Sequence, residues 1–358
     1  MKRKVAVIGA GPIGSLAAFI CSDYFEVDLF DASFEKKDQS KDGRLVALGK
    51  AQFDWIKNLG INLNIKSSID AVHVRDKLSS NTVTLSENPP QGYMIEYAEI
   101  ADSVHKAFGE KSINKIEKKL DKDGILGLEQ SLEYESIIVA SGASYDADPI
   151  WASNAKEIAL LFRIEHENLH YNTAIENFFG KEAIATLPYD NPHVSSCVWI
   201  IPIENEMDAL NLEDDEFADA LYQRFPHLGK FKVVSEVISH VLNRKIIWPP
   251  YEGKKLIIGD AAHKIHPIAG QGLNLGLRDL IELEKHVKKS GRLGISLSDF
   301  YDDYKVNRIW DLARMFALTE GSLKLFNYPL GFLRSIGMCA LDNSSILKKI
   351  LEKKASGF

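Results

Sequence analysis

The sequence predicts an α/β protein in two parts. A nucleotide-binding domain is built on a parallel sheet, a second domain on an antiparallel sheet is inserted in it, and a helical segment closes the chain. Three observations carry this. A short β-branched strand, Lys4–Ile8, runs straight into Gly9-Ala10-Gly11-Pro12-Ile13-Gly14, a GxGxxG spacing. A second strand–glycine–helix unit lies far downstream at Leu256–Leu280, LIIGDAAHKIHPIAGQGLNLGLRDL. Between them run short segments of alternating apolar and polar residues, the pattern of half-buried antiparallel strands.

Composition bounds the function. The chain has 358 residues, 45% hydrophobic and 26% charged, which suits about two globular domains. A net charge of −7 argues against a nucleic-acid partner. Cys21, Cys197 and Cys339 stand far apart with no CxxC spacing, so neither a metal site nor a disulfide framework is expected, in keeping with a reducing cytoplasm. The basic start MKRK leads into a strand broken by glycines and not into a signal peptide. No run of 18 apolar residues is present to span a membrane.

Taken in order, Pro12 suits the first turn of a helix that continues through small and apolar residues, Ser15–Ser22. The strand Glu26–Phe30 ends in Asp31, 17 residues past Gly14, where an acid can bind a ribose hydroxyl. Arg44 follows a polar loop, at the opening of a helical stretch. Leu48–Leu59 reads as an amphipathic helix closed by Gly60. Ile69–Arg75 and Thr82–Leu85 are strands, and Gly92–Glu96 leads into a helix, Glu96–Phe108. Ser112–Glu117 and Gly124–Leu128 read as a short antiparallel excursion before the returning strand Glu135–Ala140. Glu157–Ile164, Asn172–Phe179, Ala183–Pro188 and Ser195–Ile203 read as strands and connectors of the second sheet, with Asp215–Arg224 a helix. Val198–Pro202 and Ile246–Trp248 are candidate pocket linings, and His227 and His240 read as structural. Leu273–Lys289 and Ser298–Thr319 are helices. Leu323–Leu351, rich in Leu, Phe and Ile, ends in Lys348, Lys349, Lys353 and Lys354. It suits either a core helix or an apolar face on an anionic membrane surface.

In the downstream unit, Asp260 follows its strand directly, where α/β folds place ligand-binding groups. Pro267 stiffens the loop. The helix beginning near Gly270 aims its N–H groups back at whatever fills that loop. The string GDAAH..HP..GQGLN.G..D resembles the second FAD-binding motif of the class A flavoprotein monooxygenases, in the form found in ubiquinone-biosynthesis hydroxylases. Ala185-Thr186-Leu187-Pro188 and the Tyr301, Tyr304, Arg308, Asp311 pattern resemble later elements of that family.

The resemblance implies a Rossmann-like FAD-binding domain of the glutathione-reductase type over 1–66, 90–145 and 251–290. The antiparallel substrate domain would cover 67–89 and 146–250, and C-terminal helices 291–358. It implies FAD as cofactor, with Gly9, Gly11, Pro12, Ile13, Gly14 and Asp31 on its nucleotide half, and Arg44 between pyrophosphate and ribityl chain. Gly259 and Asp260 would meet the ribityl chain, and Gly270, Gln271, Gly272, Leu273 and Asn274 the flavin ring. Pro267 would shape the oxygen-reacting side, with His266 and His263 as candidate proton shuttles or, equally simply, loop supports.

The implied activity is hydroxylation of a polyprenylated phenol with NAD(P)H and O2. The implied setting is the cytoplasm, peripheral on the inner face of the membrane, beside other ubiquinone-biosynthesis proteins or a second copy of the chain. One segment departs from the family: its Asp-Gly pair, placed to touch both FAD and nicotinamide, reads Ser141-Gly142 here, and no Arg follows nearby. The departure leaves room for a flavin-binding subunit without hydride input. A hydroxylase of a soluble aromatic is the other alternative.

Overall fold

The computed structural model describes residues 3–35, 44–76, 81–86, 89–154, 156–211, 214–222 and 224–327. Its cofactor half is a six-stranded sheet in the order Tyr251–Glu252, Lys255–Ile257, Ser136–Val139, Lys4–Ile8, Glu26–Asp31, Ile113–Glu117. All neighbours are parallel except the hairpin Tyr251–Glu252 with Lys255–Ile257. Parallel strands buried on both faces need apolar side chains on both, and Val5, Ala6, Val7 and Ile8 are all buried. Strands Lys4–Ile8 and Lys255–Ile257 flank Ser136–Val139 in parallel. Three loops therefore leave the same edge of the sheet: Gly9–Gly14, the turn Gly142–Ser144, and the turn Gly259–Ala261. Neighbouring strand ends of this kind are where open α/β sheets bind ligands.

The helix Pro12–Cys21 lies against the helices Tyr97–Lys106 and Gln271–Leu293. Its approach to the sheet depends on two glycines. Gly9 adopts φ +101°, and a Cβ there would sit 2.5 Å from the Ala140 carbonyl oxygen. A Cβ on Gly14 would sit 1.7 Å from the Gly9 carbonyl oxygen, so the first turn of the helix can close on the strand only without a side chain.

An eight-stranded sheet forms the other half, in the order Phe231–Val233, Glu157–His166, Val194–Pro202, Glu182–Pro188, Thr173–Phe179, Ala71–Asp76, Asn81–Leu85. Ile238–Val241 also pairs with Glu157–His166. All of these pairs are antiparallel except Thr173–Phe179 with Ala71–Asp76. Alternation divides its faces: Ile158, Leu160 and Ile164 pack with Phe217 and Leu221 of the helix Asp214–Tyr222, while Ala159 and Leu161 face a cavity. Two three-stranded sheets join the halves. One holds Leu45–Gly49, Gly92–Glu96 and Ser67–Ile69; the other holds Trp151–Ser153, Arg244–Ile246 and His263–Lys264.

The structure corrects three local expectations. Gly124–Leu128 is not a strand but part of a helix, Lys122–Gln130, because Asp121 accepts the Gly124 N–H at 2.9 Å as an N-cap and Ile125 is buried beneath it. Ile113–Glu117 is not an antiparallel excursion but the parallel edge strand beside Glu26–Asp31. Arg44 does not open a helix: Leu45–Gly49 is a strand paired antiparallel with Gly92–Glu96, and the helix starts at Lys50. The final helix runs Tyr301–Asn327, and most of the apolar segment to Leu351, with its lysines and Cys339, lies outside the described residues. Among the described residues no helix is long and apolar enough to cross a membrane.

Gly14→Ala should destabilise the fold by about 3 kcal/mol, since the added methyl meets backbone and not a movable side chain. A urea midpoint equal to that of the wild type would contradict this account of the first turn.

Candidate functional site

The two glycine motifs, 245 residues apart from Gly14 to Gly259, meet through one side chain. Ile13 packs against both Gly259 and Gly276, where added Cβ atoms would approach it to 3.3 Å and 2.9 Å. Around this contact opens a cavity of about 2020 Å³ that reaches from the first motif to the wall of the eight-stranded sheet. Ordinary small-molecule pockets hold about 300–1,000 Å³, so this one has room for a large cofactor and a second molecule together. Gly11, Pro12, Ile13, Arg44, Gly259 and Asp260 line one end. Pro267, Gly270, Gln271, Gly272, Leu273 and Asn274 line the middle. Val72, Val83, Leu85, Ala159, Ala183 and Ala185 are among the residues lining the apolar end. Gly9, Gly14 and Asp31 stand behind the lining and shape the loop.

The polar end is built for an anionic, hydroxyl-rich ligand. A Cβ on Gly11 or on Gly272 would meet no protein atom within 4 Å, so each glycine leaves open space at the cavity wall. Asp31 receives the Ala10 N–H on Oδ2 at 2.6 Å and the Ser33 N–H on Oδ1 at 3.2 Å. It therefore fixes the loop, and a carboxylate still has lone pairs for a hydroxyl. Arg44 lies over the Tyr97 ring, 4.8 Å from its centroid. Asp260 is open to the cavity but crowded by protein. That desolvation pushes its pKa up, against the opposing pull of His263, Lys264, Arg44 and Lys245. Lys245 fastens the departing segment, donating to the carbonyls of Ala143 at 3.1 Å and Tyr145 at 2.6 Å.

Gly270, at φ +60°, is the left-handed residue from which the helix Gln271–Leu293 starts. Asn274 holds that helix end against the strand Leu45–Gly49: its Nδ2 donates to Ala47 O at 2.8 Å and Gly270 O at 3.0 Å, and its Oδ1 accepts the Gly49 N–H at 2.9 Å. Asn274 thus borders the cavity while its amide serves the backbone.

A buried ionic chain frames the motif. Asp279 accepts the Gly259 N–H at 2.9 Å, His263 Nε2–H at 2.6 Å, and Arg308 Nε–H at 2.9 Å. Arg308 also pairs with Asp311, which holds Arg278 at 3.0 Å, and Arg278 donates to Gln271 Oε1 at 3.3 Å. The chain begins on the glycine turn and ends on the first residue of the motif helix. Burial alone would raise the Asp279 carboxyl, but His263 and Arg308 outweigh it and hold its pKa at about 2. His263 is thereby committed to Asp279. His266 is fully buried, accepts the Ile268 N–H on Nδ1 at 3.3 Å and faces Glu157. Neither imidazole lines the cavity, so of the three candidate catalytic residues only Pro267 borders it.

Residues of the apolar end went unassigned in the sequence because alternation names a face and not what covers it. Val198 and Ile200 do line the cavity, as does His240, whereas Ile246 packs in a separate apolar cluster with Leu312 and Met315.

Known proteins fit this geometry. Residues 142–314 match the FAD binding domain model. The chain is 30% identical to the Ubiquinone hydroxylase UbiL of Rhodospirillum rubrum over 207 residues, 56% of this chain and 48% of that protein. It is 27% identical to the 3-demethoxyubiquinol 3-hydroxylase of Escherichia coli K12 over 212 residues, 55% of this chain and 52% of that protein. The chain thus spans about half the length of these curated relatives. Its fold matches the flavin-dependent brominase Bmp2 with a TM-score of 0.74, at 16% identity over 99% of this chain and 93% of that one. It matches Klebsiella pneumoniae HpxO, solved with FAD and uric acid, with a TM-score of 0.71 at 14% identity over 99% of this chain and 96% of that one. At these identities the structural likeness is one of fold. The cofactor is FAD, and the glycine-walled, cation-rimmed end of the cavity fits it.

Asp279→Asn should destabilise the chain by about 3 kcal/mol at neutral pH by removing one of the two carboxylates, Asp279 and Asp311, that neutralise the buried Arg308. Because the Asp279 pKa is depressed, its contribution is complete above about pH 4 and fades as pH falls toward about 2. The stability gap between wild type and variant in denaturant titrations should therefore narrow over that range, and a gap constant from pH 7 to 2 would refute the assignment.

Proposed function

We propose that the chain is a class A FAD-dependent hydroxylase of the ubiquinone-biosynthesis type and that it hydroxylates the aromatic ring of a polyprenylated phenol, using NAD(P)H and O2. The observation that carries this reading is the continuity of the cavity. One space joins the polar, glycine-walled end to an apolar wall of alanines, valines and leucines on the substrate sheet. A ring placed near Pro267 would leave a hydrocarbon tail along that wall, where burial of each CH2 contributes about 0.8 kcal/mol.

Bound FAD supplies the hydride acceptance and oxygen activation that no side chain can. The protein's own residues bind, orient and exclude water. Gly11, Pro12 and Ile13 would receive the pyrophosphate at the N-terminus of the helix Pro12–Cys21, with Arg44 as counter-charge. Asp31 would take a ribose hydroxyl and Asp260 the ribityl chain. The helix Gln271–Leu293, whose N-terminus borders the cavity, would favour negative charge on the flavin ring. Pro267 and Ile268 close the reacting side against the apolar wall, which keeps water from the oxygen-transfer step. His263 and His266 act as loop supports. The phenol would be drawn from a membrane by peripheral association, in the cytoplasm, alone or beside other proteins of the pathway or a second copy.

Two outcomes test this reading. Asp260→Ala should weaken FAD binding by about 10- to 100-fold, the loss of a hydrogen bond to a charged group, measured as flavin retained on gel filtration. Unchanged retention would remove Asp260 from the cofactor site. Oxygen uptake with NADPH by the FAD-loaded protein should rise on adding a short-chain polyprenylphenol and give a product heavier by one oxygen. Stimulation by soluble aromatics alone would favour a hydroxylase of another substrate. Absence of uptake despite bound FAD, with no flavin reduction by NADPH or NADH, would favour a flavin-binding subunit whose Ser141 has replaced the acid needed for hydride input.

A further inference from the structure

We propose that Glu157 is a positioning residue for the turn that carries Pro267, acting through His266; the proposal rests on the reading of Pro267 as a border of the flavin site. Glu157 opens the strand Glu157–His166, two residues before Ala159 on the cavity wall. Its Oε2 lies 3.4 Å from His266 Nε2 and 3.8 Å from Arg244 Nη2. Arg244 belongs to the joining strand Arg244–Ile246 and holds Glu320 of the last helix at 3.0 Å. Cofactor loop, substrate sheet, joining sheet and last helix therefore meet at one cluster of charges shielded from solvent.

The hydrogen bonds set the direction of the coupling. His266 Nδ1 accepts the Ile268 N–H, so in the neutral ring the proton sits on Nε2 and points at Glu157. One nitrogen shapes the turn around Pro267, and the other is held by the substrate sheet. Among the described residues, neither His266 Nε2 nor Arg244 Nε has a hydrogen-bond partner, although both are buried. The Glu157 carboxylate, 3.4 Å from His266 Nε2, is the counter-charge beside that orphaned donor, whereas Arg244 Nη2 stands 3.8 Å off and donates to Ser153 Oγ at 3.2 Å. A small movement of Glu157 toward His266 closes the contact and tightens the Pro267 turn. Because Ala159 and Leu161 follow on the same strand, a molecule pressed against the apolar wall shifts Glu157 and with it the turn. The wall and the flavin loop are then one coupled element.

The test is amide hydrogen exchange of the segment 263–273 in Glu157→Gln, His266→Asn and the double variant, with and without FAD. Glu157→Gln keeps the shape and removes the charge. His266→Asn keeps an acceptor near Ile268 and loses the reach to Glu157. Each single change should speed exchange in this segment about tenfold, the loss of the carboxylate's hold on the imidazole, and the double variant should be no faster than either. Unchanged exchange in both single variants, or effects that multiply in the double one, would overturn the proposal. Should Glu157→Gln fail to fold, Glu157→Asp, which keeps the charge and shortens the reach, carries the same comparison. A wild-type chain that exchanges as expected yet hydroxylates nothing would sink the proposed function and leave this coupling standing.

Discussion

A buried carboxylate holds the cofactor motif in shape. Asp279 sits on the motif helix with 4% side-chain exposure and accepts from the Gly259 backbone, from His263 and from Arg308. An ion so placed tolerates no loose partner, since removing one leaves an uncompensated charge in the interior. Each partner is therefore pinned, and each belongs to a different part of the motif: the turn after the strand, the loop leading to Pro267, and the last described helix. Through Asp311 and Arg278 the same chain of charges returns to Gln271. The loop's shape is set by this chain of charges, of which Asp279 and His263 stand behind the wall while Arg278, Arg308 and Asp311 border the cavity themselves.

The front of the site depends on packing. Ile13 lies against Gly259 and Gly276 and brings together two motifs far apart in sequence. The glycines allow the helices Pro12–Cys21 and Gln271–Leu293 to converge on one point, and two helix N-termini then face the same space. Asn274 ties the second of these to the strand Leu45–Gly49, so Arg44 is carried to the cavity by a strand whose place is fixed from the motif helix. The cations Arg44, Lys245 and Lys264 act on Asp260 because both joining sheets reach it: Lys245 and Lys264 are cross-strand partners in one, and Arg44 precedes a strand of the other.

Much of this was legible in the sequence, residue by residue. Gly9–Gly14 after a buried strand, Asp31 at the end of the next, and Asp260 directly after a third are placements that follow from strand–loop–helix geometry alone. Other residues misled for identifiable reasons. Gly124–Leu128 carries a weak, glycine-containing pattern that neither period dominates, and the N-cap Asp121 decided it for helix. Arg44 precedes five residues that fit strand or helix equally, and pairing with Gly92–Glu96 settled the matter. Asn274 is not among these: it stands where the motif suggests a flavin contact and borders the cavity, while its amide's two donors and acceptor are held by nearby backbone groups.

What the sequence determined by itself was the set of local instructions: which strands are buried on both faces, where the backbone must lack a Cβ, and which acids follow strands. These depend on neighbours a few residues away, and the period of the pattern reports them. What only the tertiary structure decided was the company each residue keeps. His263 and His266 read alike in sequence, yet one answers to Asp279 on the motif helix and the other to Glu157 on the substrate sheet. The alanines at 159, 183 and 185 become a cavity wall because, among the described residues, that face of the sheet borders open space. Burial, charge pairing and empty space are properties of contacts between distant segments, and no local pattern encodes them.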